Sequence, residues 1–199
     1  MKSIAIFCGS SLGADPIYAE VAQQTGRLIA ESGKTLVYGG GRSGLMGIVA
    51  DSALAAGGQV IGVIPQGLVD RELAHTGLTE LHVVENMHQR KVMMSELSDG
   101  FIALPGGAGT IEEIFEQWTW AQLGIHLKPC AFLNVEGFYD LLIQFIEKTT
   151  QKQFTQERFT QALIASDQIE NILTHFENYV APQPKWGVKD REELVKLDT

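Results

Sequence analysis

The chain has 199 residues, 45% hydrophobic and 20% charged, a composition that fits one globular domain with a full core. Its formal net charge is −9, from 15 basic and 24 acidic side chains with no basic run or stripe, which argues against DNA, RNA or another polyanion as partner. No apolar run reaches membrane-spanning length, so no membrane partner is expected.

Short apolar runs alternate with longer stretches of helical period. Residues 4–8 read as the first strand and start too early to leave room for a secretory leader. The next five residues, Gly9-Ser10-Ser11-Leu12-Gly13, match the G-x-S-x-G of a nucleophile elbow. A hydrolase of that type draws half its oxyanion hole from an earlier strand–helix loop, and the residues before Gly9 cannot supply one. Ser10 and Ser11 are left to line a pocket or to satisfy the turn. Asp15-Pro16 marks the start of a helix over 17–31.

A second strand, 35–38, runs into Gly39-Gly40-Gly41-Arg42-Ser43-Gly44, which matches G-x-G-x-x-G ahead of a helix over 45–56. A dinucleotide site also needs an acid near the end of the following strand, 60–64, and none occurs before Asp70. NAD is therefore not expected, and the glycine turn reads as part of a pocket wall. A helix over 66–73, a strand over 81–84 and a helix over 87–97 follow. The last of these opens with Met87-His88-Gln89-Arg90-Lys91, whose two cations read by default as solvent-facing charges.

The strand 101–104 leads into the most informative run of the chain, Pro105-Gly106-Gly107-Ala108-Gly109-Thr110-Ile111-Glu112-Glu113, and then a helix from Ile111 to about Leu123. A glycine-rich turn between strand and helix leaves backbone N–H groups aimed at one point, and the helix dipole behind them favours an anion, above all phosphate. Glu113 stands beside that point. The competing structural reading is a capping box, since Thr110 to Glu113 spells T-x-x-E. Ile111, Ile114, Phe115, Trp118 and Ile125 form an apolar stripe, with Trp120 and Leu123 on another face suited to core packing, a site wall or a second subunit.

A strand over 130–135, a helix over 138–148 and a helical pattern over 151–179 complete the series, before a polar tail with Pro182 and Pro184. Strands apolar throughout, joined by crossover helices, predict a doubly wound, Rossmann-like parallel sheet in three α/β/α layers, with the ligand at the carboxyl ends of the strands. One domain is expected over 1–180, with a tail over 181–199. Cys8 and Cys130 lie in apolar strand segments, as free thiols in a reducing cytoplasm would. His75, His82, His88, His126 and His175 have no metal-ligand spacing, so neither a metal nor another cofactor is expected.

Three motifs in order, Arg42-Ser43-Gly44-Leu45-Met46-Gly47 after a tyrosine-led glycine turn, M-H-x-R-K at Met87–Lys91, and P-G-G-x-G-T-x-x-E at 105–113, resemble the Lonely Guy (LOG) family. The resemblance runs from about residue 4 to 129 and includes Cys8-Gly9-Ser10-Ser11 and Trp120-Ala121-Gln122-Leu123-Gly124. Members are cytokinin riboside 5′-monophosphate phosphoribohydrolases, often mislabelled lysine decarboxylases. The resemblance implies a Rossmann-like homodimer that cleaves a base from ribose 5-phosphate, with Arg90 and Glu113 as the catalytic pair. It implies substrate contacts from Glu72, Arg90, Lys91, Gly107, Ala108, Gly109, Thr110, Ile111, Glu112, Glu113 and Thr119. Ala108 stands where plant members often have tyrosine, so base preference is expected to differ. Pyridoxal chemistry lacks support, because no Schiff-base lysine is paired with a group that would tune the pyridine nitrogen. The alternative from another class is a non-catalytic binder of a phosphorylated ligand, like the related molybdenum-cofactor carriers.

Overall fold

The computed structural model describes residues 1–71 and 73–186. Among these, seven strands form one sheet in the order β4-β3-β2-β1-β5-β6-β7, with every neighbouring pair parallel. They are β1 (Ser3–Phe7), β2 (Thr35–Tyr38), β3 (Val60–Pro65), β4 (Glu80–Val84), β5 (Phe101–Ala103), β6 (Cys130–Leu133) and β7 (Ile164–Ser166). The helices are α1 (Ile17–Glu31), α2 (Gly44–Ala55), α3 (Gln66–Val69), α4 (Met87–Glu96), α5 (Ala108–Leu123), α6 (Asp140–Gln151), α7 (Glu157–Gln161) and α8 (Ile169–Glu177).

The sheet has two covered faces because its central strands are apolar on both sides. Ile4, Ile6, Leu36 and Tyr38 pack with Ala22 and Ile29 of α1, Leu45 and Val49 of α2, and Ile172 and Phe176 of α8. Ala5, Phe7, Val37 and Phe101 pack on the other side with Met94 of α4, Ile114 and Trp118 of α5, and Ile146 of α6. This is the expected doubly wound α/β fold. Among the described residues, no helix is long and apolar enough to cross a membrane.

The chain winds outward from β1 to β4, then returns to the other flank of β1 with β5. Connections from the carboxyl ends of β1 and β5 therefore leave in opposite directions. The crevice between them is the topological switch point, where ligands of such folds bind.

Three expectations need correction. The stretch 151–179 is not one helical region: it breaks into α7, the edge strand β7 and α8. Three residues are too few for an alternation to show against helical flanks. The helix expected over 66–73 stops at Val69. Helix α5 begins at Ala108 rather than Ile111, because Gly107 is already the extended cap residue (φ −92°, ψ −156°) and Ala108-Gly109, which reads as loop, is the first turn. Ile125, counted in the apolar stripe, lies beyond the left-handed Gly124 (φ 81°) that ends α5. Of the expected tail, Pro184 packs at Gly124 and the Lys185 N–H bonds the Gln122 carbonyl at 2.9 Å, while 187–199 lie outside the described residues.

Candidate active site

Three turns meet at the carboxyl end of the sheet. The Gly9 N–H donates to the Pro105 carbonyl (3.1 Å), joining the turns after β1 and β5, and the Leu45 N–H donates to the Gly9 carbonyl (3.1 Å), drawing in the start of α2. The buried Tyr139 hydroxyl donates to the Leu104 carbonyl at 2.6 Å, fixing the chain where it enters the glycine run. Around this junction Ser10, Ser11, Arg42, Ser43, Gly107, Ala108 and Gly109 are exposed, so the crevice opens to solvent.

Arg90 reaches the crevice from α4. The helix start is set by Asn86, whose side-chain oxygen accepts the Gln89 N–H (2.9 Å), while the Gln89 side chain accepts the Glu85 N–H (3.0 Å). That reciprocal cap fixes the first turn and with it the direction of Arg90. The guanidinium is not a solvent-facing charge: Arg90 is only 8% exposed, and its Nε donates to the Val63 carbonyl at 3.2 Å. Its Nη1 lies 3.3 Å from Oε1 of Glu113. The glycine turn after β2 makes this possible, since a Cβ on Gly39 would stand 1.7 Å from Arg90 Nη2. The first glycine of the G-x-G-x-x-G run is thus a seat for an arginine.

Glu113 sits in the second turn of α5 and is 8% exposed. The capping box does not form. With Gly107 as the cap residue, Thr110 lies inside the helix, where its hydroxyl packs over Gly106, and no side chain caps α5. Burial raises the Glu113 carboxyl above its ordinary range; Arg90 and Lys91 pull it down, Glu112 and Glu116 push it up, and burial wins. A carboxyl group shifted in this way, in a crevice and facing a fixed cation, has the character of an acid–base or charge-stabilising group. The same surroundings act on the Cys8 thiol, which burial and then Glu113 push up against the opposing pull of Arg90, so it stays protonated.

Lys91 is 7% exposed and also points inward. Its Nζ donates to Glu112 Oε1 (2.5 Å) and Glu116 Oε1 (2.9 Å). Burial lowers its pKa, but the bonds to the two carboxylates more than offset this and raise it.

Of the remaining expected contacts, Gly107, Ala108, Gly109 and the exposed Glu112 border the opening, Thr110 is buried and Ile111 half-buried. Thr119 is exposed farther along α5. Glu72 lies outside the described residues. Sequence reasoning missed Asn86, Gly39 and Glu116. Asn86-x-x-Gln89 is itself a legible cap pattern, and Glu116 lies one helical turn beyond Glu112; the seat at Gly39 has no local signal. Among the described residues, no group of three or more His, Cys, Asp or Glu side chains is arranged to hold a metal ion.

A family profile described as "Possible lysine decarboxylase" matches residues 46–176. The cytokinin riboside 5′-monophosphate phosphoribohydrolase of Rhodococcoides fascians is 49% identical over 173 residues, covering 86% of this chain and 87% of that one. Cytokinin riboside 5′-monophosphate phosphoribohydrolase LOG7 of Arabidopsis thaliana is 44% identical over 200 residues, covering 98% and 92%. Among solved structures, the molybdenum cofactor binding protein of Rippkaea orientalis matches with a TM-score of 0.67 at 24% identity, covering 89% of this chain and 96% of that one, which is a likeness of fold alone.

Proposed function

The chain belongs to the LOG family of cytokinin riboside 5′-monophosphate phosphoribohydrolases, and we propose that its Arg90–Glu113 pair hydrolyses the N-glycosidic bond of a nucleoside 5′-monophosphate. The products are the free base and ribose 5-phosphate. N6-prenylated AMP and AMP are the substrates we assign.

The observation that carries this reading is a buried carboxylate paired with a buried arginine, at 3.3 Å, beside the glycine turn at the switch point. As the base departs, positive charge develops on the ribose. Glu113 stabilises that charge and takes a proton from the attacking water, a task suited to a carboxyl group whose pKa burial has raised. Water oxygen bonds to the anomeric carbon, the bonding pair of the broken C–N bond leaves with the base, and the base takes up a proton from solvent, which balances the water proton passed to Glu113. Arg90 orients Glu113 and offsets charge on the leaving base; it does not serve as the general acid, because a guanidinium holds its proton throughout. The first N–H groups of α5 have no intrahelical partner and receive the 5′-phosphate. Arg90, Gly107 to Ile111, Glu113, Thr119 and Glu72 are assigned to substrate contact, whereas Lys91 and Glu112, which the resemblance also implies, are bonded to each other.

A non-catalytic carrier would need the glycine turn but not the buried ion pair, so the pair favours the enzyme. Two buried free thiols, Cys8 and Cys130, support a cytoplasmic setting. We also assign a homodimer, from family membership; Trp118, on the apolar stripe of α5, is buried inside the chain and donates to the Phe159 carbonyl at 3.2 Å.

The test is base release from AMP, N6-prenyl-AMP, adenosine and NAD. Free base and ribose 5-phosphate from the monophosphates, with little from adenosine or NAD, support the reading. Tight nucleotide binding without any base release would move the chain to the carrier class. Sedimentation of a fully active monomer at micromolar concentration would contradict the dimer.

A further inference from the structure

The chemistry above leaves the buried cation next to Arg90 without a role. Lys91 follows Arg90 on α4, and the two cations meet adjacent carboxylates on α5: Arg90 faces Glu113 at 3.3 Å, and Lys91 bonds Glu112 at 2.5 Å. Glu116, one turn farther along α5, takes a second Lys91 bond at 2.9 Å. Two adjacent ion pairs thus link the same turn of α4 to the same stretch of α5.

The surroundings of Lys91 do not suit it to bind phosphate. An ammonium has three N–H donors, and two are already committed to carboxylates. The cluster of Lys91, Glu112 and Glu116 carries a net negative charge, which repels a phosphate monoester of like sign. Glu116 Oε2 is buried with no hydrogen-bond partner, so its carboxylate depends on Lys91 for its charge to be tolerated there. The exposed backbone of Gly107, Ala108 and Gly109, at the start of α5, offers phosphate a site without such competition.

We propose that Lys91 is a positioning residue that clamps α4 to α5 through Glu112 and Glu116 and so holds Arg90 against Glu113. It is not a ligand of the substrate phosphate. This inference rests on the proposed catalytic role of the Arg90–Glu113 pair.

The experiment compares wild type, Lys91→Met, the double variant Glu112→Gln/Glu116→Gln, and Glu113→Gln, with AMP or N6-prenyl-AMP as substrate and ribose 5-phosphate as competitive inhibitor. Methionine keeps the stem and removes the charge. For Lys91→Met the clamp predicts a fall in kcat of about ten- to a hundredfold from misplacement of the pair. KM and the ribose 5-phosphate inhibition constant should stay within about threefold, because phosphate binding is untouched. A rise of about tenfold in both constants with kcat preserved would identify Lys91 as a phosphate ligand and overturn the proposal. The double variant gives an independent answer even if Lys91→Met fails to fold. Releasing the lysine should lower kcat under the clamp, whereas tighter ribose 5-phosphate binding with kcat preserved would overturn it. Full turnover by Glu113→Gln would instead refute the underlying catalytic reading, so the two failures are distinguishable.

Discussion

Two glycine-rich turns leave the carboxyl end of the sheet on either side of β1, and they use their missing side chains for opposite purposes. After β2, a Cβ on Gly39 would strike Arg90 Nη2 at 1.7 Å, so that glycine is demanded from within the protein. After β5, a Cβ on Gly107 would meet nothing within 4 Å, and the φ of −92° is open to any residue. Neither packing nor backbone strain explains glycine at 107. The phosphate site proposed at the start of α5 would. Under the proposed function, one turn seats the arginine of the catalytic pair and the other leaves room for the substrate.

The contrast is easiest to break at Gly39. Alanine there must displace the Arg90 guanidinium, so Gly39→Ala should lower turnover by about a hundredfold and stability by about 1–3 kcal/mol from overpacking. Unchanged kinetics, with a folded protein by calorimetry, would show that Arg90 needs no such seat. Gly107→Ala should behave oppositely. We expect KM to rise about tenfold, equivalent to about 1.4 kcal/mol of lost phosphate binding, while stability changes by less than about 1 kcal/mol, as for an exposed cap position. Destabilisation by several kcal/mol with normal KM would reverse the assignment of the two turns.

A pH series sharpens the same division. Because burial raises the Glu113 pKa, the acid limb of kcat/KM should lie above the ordinary glutamate value of about 4.3. Gly107→Ala should leave that limb where it is. The linkage has a definite sign: a carboxyl raised in the folded state contributes stability below its unfolded pKa and loses it as pH rises through the folded value. Thermal melts should therefore show wild type losing stability relative to Glu113→Gln across that interval. An acid limb at or below the unperturbed value would deny Glu113 its buried, proton-accepting role. The smallest effect is expected at Asn86→Ala, where loss of the α4 cap costs about 1 kcal/mol, or about 2–4 °C in Tm.

The two turns also show what the sequence makes legible. The layered fold could be read because β1, β2, β3, β5 and β6 are apolar on both faces and separated by crossover helices. β7 could not, since Ile164-Ala165-Ser166 is an edge strand too short to carry a period. The turn after β5 is marked by its glycines, but no local signal starts its helix at Ala108 rather than at Ile111, three residues later. That shift created a capping box at Thr110 that the structure lacks. Arg90 and Lys91 read locally as surface charges, because their inward direction depends on Val63, Gly39, Glu112 and Glu116, which are distant in sequence. Asn86-x-x-Gln89, by contrast, is a cap whose signal is wholly local.

The central claim is that Glu113 is a catalytic carboxylate and not a helix cap. Glutamine preserves its size and its oxygen acceptor but removes the charge. Breaking a buried ion pair ordinarily costs about 3–5 kcal/mol, yet here burial already outweighs Arg90 and disfavours the charged form. Glu113→Gln should therefore change stability by no more than about 1 kcal/mol at neutral pH. Nucleotide affinity should remain near wild type, and release of base from AMP or N6-prenyl-AMP should fall by about a thousandfold, the scale expected when a group acting on the transition state is lost. The decisive measurement is base release by this variant, with melting and nucleotide titration on the same preparation. Loss of turnover in a stable, nucleotide-binding protein is the predicted result; base release at a near wild-type rate would contradict the account.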